Sequence, residues 1–80
     1  MLVAQQIRAA RSLVGMGQAE LAEKANVAVA TLRRMESDAV GPERSQAGAV
    51  SRVREVLETA GVQFIPENGG GAGVRLRDRK

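Results

Sequence analysis

The stretch Gln18-Ala19-Glu20-Leu21-Ala22-Glu23-Lys24-Ala25-Asn26-Val27-Ala28-Val29-Ala30-Thr31-Leu32-Arg33-Arg34-Met35-Glu36 decides how this chain folds. Two short helices are read here, Ala19–Ala25 and Val29–Glu36, separated by a break at Asn26-Val27. Helices that cross steeply over so tight a turn need a small residue at their closest approach, and Ala22 supplies it. The turn needs a residue that tolerates positive φ, where Asn is second only to Gly. Val27 plugs the angle between the helices, and Leu21, Ala25, Leu32 and Met35 pack beneath.

Working outward, Leu2, Val3, Ile7, Ala10 and Leu13/Val14 recur at three- and four-residue steps and predict a first helix stopped by Gly15 and Gly17. Asp38 to Pro42 reads as a loop because Gly41-Pro42 punctuates strongly. Ser45 is placed as the N-cap of a fourth helix, with Val50, Val53, Val56/Leu57 and Ala60 inward and Gly61 as the stop. The period then changes from 3.6 to 2. Val62-Gln63-Phe64-Ile65 and Val74-Arg75-Leu76-Arg77 predict two strands joined by the glycine-rich loop 66–73. That loop lacks a Gly-Lys-Ser/Thr ending and a following helix, so it is not a P-loop. There is no internal repeat. The expected architecture is mainly α: four helices and a C-terminal β-hairpin, with residues 62–80 part of the same domain as 1–61.

Composition narrows the function. The 80 residues contain no Cys, His, Trp or Tyr. Disulfides and thiolate chemistry are excluded, and a zinc site would need carboxylates alone. Ser12, Ser37, Ser45, Ser51, Thr31 and Thr59 have no base beside them, and the carboxylates form no cluster. No catalytic residue, metal or cofactor is therefore expected. No apolar run approaches the ~20 residues of a membrane span and no leader is seen, so the chain reads as cytoplasmic and nucleoid-associated. The net charge of +3 is carried at both ends, with +2 over residues 1–36, −1 over 37–60 and +2 over 61–80. Such a distribution permits contact with nucleic acid.

Residues 18–36 resemble the helix-turn-helix of Cro and phage-repressor type regulators, the xenobiotic-response-element family of bacteria. The resemblance covers residues 5–36 closely and the fourth helix loosely. The ending Gly61-Val62, Phe64-Ile65, Glu67-Asn68-Gly69-Gly70-Gly71 and Gly73-Val74-Arg75-Leu76 is similar to the tails of some short members. The resemblance implies a four-helix phage-repressor-like domain whose third helix lies in the major groove of duplex DNA. It assigns Gln18 to a phosphate, Val29, Ala30 and Arg34 to base edges, and Thr31 and Arg33 to the backbone, and counts Ala28, at the head of the same helix, among the DNA-binding positions. Arg34 can pair bidentately with guanine O6 and N7, worth ~1–3 kcal/mol of discrimination, whereas Val29 and Ala30 can touch only a thymine methyl. The family prefers Gly at the position of Asn26 and Ser or Thr at that of Ala28; the missing N-cap costs roughly 0.5–2 kcal/mol. Gly17, heading the second helix, likewise lacks a side-chain acceptor. Arg11 and Glu36 match a family ion pair bridging the first helix to the end of the third.

A lone hairpin is marginal in water, and the chain is poor in large apolar residues, with 13 Ala and 10 Val against six Leu, three Met, two Ile and Phe64. The fourth helix could cover the hairpin, but a second copy would do so better. A homodimer is therefore expected, closed through the C-terminal strands (Val62, Phe64, Ile65, Val74 and Leu76) and the fourth helix, with two recognition helices ~34 Å apart. Arg75, Arg77 and Arg79 alternate onto one strand face as a charged edge. The leading expectation is a sequence-specific transcription regulator of repressor type. The alternative is a protein-interaction module of the same fold, an antitoxin or an adaptor docking on RNA polymerase or another regulator. No ligand-sensing domain is read.

Overall fold

The computed structural model describes residues 4–37, 39, 47–66 and 71–77. Helices α1 (Ala4–Val14), α2 (Gln18–Ala25), α3 (Val29–Met35) and α4 (Ala47–Thr59) precede strands β1 (Val62–Ile65) and β2 (Gly73–Leu76). The expectations placed on Leu2, Val3, Asp38, Gly41-Pro42, Ser45, Arg79 and residues 67–70 lie outside the described residues.

Local chemistry sets the boundaries. Gly15, at φ 66°, closes α1; its N–H donates to Ser12 O and the Met16 N–H to Arg11 O. Asn26, at φ 56°, closes α2 in the same way, its N–H on Glu23 O and that of Val27 on Ala22 O. In each case the left-handed residue lets two amides turn back and satisfy carbonyls at the end of the helix. Gly17 and Ala28 head α2 and α3 in extended conformation with no side-chain cap bond, as their chemistry requires.

Residues Ile7, Ala10, Leu21, Ala22, Ala25, Leu32, Met35, Ala49, Val53, Leu57, Val62 and Phe64 form one core. Helix α2 is its centre and packs against both α3 and α4. Ala22 is fully buried, and Val27 packs against the core from its edge. The inward face of α4 is rotated from the expected one: Ala49, Val53 and Leu57 are buried, Val50 and Val56 half-buried, and Ala60 exposed. Leu13, expected inward on α1, is 41% exposed.

The strands pair antiparallel with Val62 opposite Leu76 and Ile65 opposite Gly73, so β2 starts one residue before the expected Val74. Buried Gln6 on α1 fixes that end of the hairpin, its amide donating to Ile65 O at 3.2 Å and Gly73 O at 3.0 Å. At the other end the Arg77 N–H donates to Gly61 O at 2.7 Å. The hairpin, expected at a dimer contact, packs on α1 and α4 of its own chain. Val62 and Phe64 are buried within the single chain, and Arg54 stacks over the Phe64 ring at 5.6 Å. Little of either side chain is left exposed on the single chain. Ile65 and Val74 are half-buried, and Leu76 is 39% exposed.

Candidate nucleic-acid interface

The side chains singled out by sequence meet around α3. With seven residues it makes barely two turns, and its 3.6-residue period divides them cleanly. Leu32 and Met35 point into the core, whereas Ala30, Arg33 and Arg34 are exposed and Thr31 is half-buried. Val29, assigned by resemblance to base edges, is itself half-buried and packed against the core. Less of it is on offer to a ligand than its position suggests. Ala28 and Ala30 are exposed and carry no hydrogen-bonding group.

Glu36, following α3, organises the neighbouring helices. Its carboxylate is buried, at 4% exposure, and accepts a two-point bond from Arg11 of α1, Nε to Oε2 at 2.7 Å and Nη2 to Oε1 at 2.8 Å. Gln18 Nε2, at the head of α2, donates to Oε1 at 3.0 Å. The main chain joins in: Arg8 Nη1 donates to Glu36 O, and Arg11 Nη1 donates to Met16 O at 3.1 Å. Three helices thus converge on one carboxylate, and among the described residues no buried side-chain polar atom lacks a partner. The guanidinium of Arg11 is held above its ordinary pKa, chiefly by its hydrogen bond to Glu36; burial opposes this and the carboxylate's charge adds to it. A bidentate pair in this setting is a structural strut rather than an exposed ion pair.

The hub alters the reading of Gln18. One N–H of its amide is spent on Glu36, so a phosphate would have to be met by the other. What Gln18 loses in freedom it gains in fixed orientation. Sequence reasoning missed Arg8 and Gln6; the latter was visible in principle, since it lies four residues before Ala10 and so shares its inward face.

The remaining described arginines divide into engaged and free. Arg52 Nε donates to Ala25 O and Arg54 Nε to Glu58 Oε2. Arg75 Nε reaches Gln63 Oε1 and Arg77 Nη2 reaches Glu58 O. Arg33 and Arg34, side by side on α3, have no hydrogen-bond or ion-pair partner among the described residues. Both guanidiniums are exposed.

Two shallow grooves complete the surface. One, of about 410 Å³ between α2 and α4, is lined by Met16, Lys24, Glu55, Val56, Thr59 and Ala60. The other, of about 570 Å³, is lined by Leu13, Gln63, Val74, Arg75, Leu76 and Arg77. Among the described residues no cluster of three or more potential metal ligands is found, and no helix is long and apolar enough to cross a membrane. No protein-family model matches the chain, and a comparison with curated proteins finds no match.

Proposed function

We propose that the chain is a helix-turn-helix regulator of phage-repressor-like fold that binds duplex DNA with α3 in the major groove. The observation that carries this reading is the pair of exposed guanidiniums of Arg33 and Arg34 on a short helix, neither of which has a partner among the described residues. The other described arginines are committed within the protein. An exposed guanidinium is the group a phosphate or guanine edge would engage. Arg34 serves as base reader, Arg33 and Thr31 as backbone contacts, and Gln18, held by Glu36, offers its second N–H to phosphate. With Ala28, Val29 and Ala30 contributing only apolar contact, base reading is sparse.

Two copies would present two such helices to successive major-groove turns. With Val62 and Phe64 internal, that contact falls to Ile65, Val74 and Leu76, joined by Leu13 across the second groove. A second reading, a protein-interaction module of the same fold, is favoured by the apolar start of α3. Salt dependence and Arg34→Ala separate the two. A DNA reader binds duplex with affinity falling steeply with salt, and Arg34→Ala lowers affinity for a preferred site far more than for random DNA. Salt-insensitive binding to a protein, with no duplex binding, selects the module.

A further inference from the structure

Arg52 lies on α4, outside the segment that carries the proposed interface, yet its side chain ends at the turn of that segment. Its Nε donates to Ala25 O at 3.0 Å. Helix α2 closes with the Asn26 and Val27 amides turned back onto Glu23 O and Ala22 O. Among the described residues no backbone N–H reaches the Ala25 carbonyl. That carbonyl sits at the negative end of α2, immediately before the left-handed Asn26 from which the chain departs into α3. A guanidinium there satisfies an orphan acceptor and complements the helix dipole. The side chain runs back along α4: a Cβ added at Gly48 would stand 3.5 Å from Arg52 Nη1. Helix α4 packs on α2 as well, so this bond adds a polar brace at the hinge to an apolar contact along the helix.

We propose that Arg52 is a positioning residue for the recognition helix, holding the Ala25–Asn26 hinge so that Arg33 and Arg34 are presented in one fixed orientation. This rests on the DNA-binding reading of α3. Arg52 acts through the turn and touches no nucleic acid itself.

The test compares the full-length protein with Arg52→Met, which keeps the stem and removes the donor, and Arg52→Lys, which restores one. The probes are a duplex carrying the sequence preferred in a binding selection and a random duplex of equal length, at a temperature where melting curves show every variant folded. Arg52→Met is expected to weaken the preferred duplex about tenfold and the random one little. The slope of log affinity against log salt should not change, and Arg52→Lys should recover most of the loss. Hydrogen exchange at the Val27 amide should quicken in Arg52→Met. Unchanged preferred-site affinity and unchanged Val27 exchange overturn the proposal. Equal losses on both duplexes, with the salt slope reduced by about one, make Arg52 a phosphate contact and overturn it too. If the unaltered protein binds neither duplex, the DNA reading itself has failed; Val27 exchange then still decides whether Arg52 holds the hinge.

Discussion

Replacing Glu36 with Gln keeps the shape of the hub and removes its charge. The carboxylate accepts three side-chain donors, two from Arg11 and one from Gln18. A glutamine retains one acceptor and points its own N–H groups at a guanidinium. Breaking a buried ion pair by changing one partner costs about 3–5 kcal/mol. Glu36 has 3% of its side chain exposed but Arg11 has 21%, so water reaches the stranded cation and the lower end, about 3 kcal/mol, is expected. An 80-residue domain holds roughly 4–12 kcal/mol in all. A loss of that size lowers Tm by about 12–24 °C, at ~4–8 °C per kcal/mol for a domain of this length. Thermal and urea melts followed by circular dichroism give the number, and a double-mutant cycle with Arg11→Met isolates the pair. The coupling should exceed about 1.5 kcal/mol, because removing both partners relieves the stranded charge. A loss below about 1 kcal/mol, or additive single effects, would mean the pair behaves as an exposed one and the hub reading is wrong. Because the Arg11 pKa is raised by its partner, its contribution is complete below the ordinary guanidinium range and lost only above it.

Two further outcomes follow from the same structure. Gln6→Leu removes the donor shared by Ile65 O and Gly73 O, and should cost about 2 kcal/mol with accelerated hydrogen exchange in the hairpin, whereas an unchanged Tm would show that α1 does not hold it. Ala28→Ser adds an oxygen to an N-cap that is already extended; it should raise stability by about 1 kcal/mol in urea melts, and a fall would show that the head of α3 is not open to capping.

Much of the fold was legible because its punctuation is chemical. Gly15, Asn26 and Gly61 all take positive φ, and each lies at the break expected of it. The alternation of Val62 and Phe64 marked the strand, and the spacing of Leu32 and Met35 marked the inner face of α3. Less legible was what covers what. That Val62 and Phe64 are buried against elements of their own chain depends on how the hairpin is docked, which alternation does not encode. Leu13 shows the same limit: its period places it near the apolar stripe, but its exposure depends on what lies beyond that stripe. At the site, Arg11–Glu36 was readable from a resemblance, while Gln18–Glu36 and Arg52–Ala25 were not. The latter join residues 18 and 27 positions apart, and only tertiary packing brings them together.

The central claim is that α3 reads duplex DNA, and a genome-wide binding selection with the purified protein tests it most directly. The account predicts enrichment of a short motif in paired half-sites, centred about one helical turn apart, with a guanine in each half whose contribution disappears in Arg34→Ala. Recovery of fragments without sequence preference, or no recovery at low salt, would contradict it.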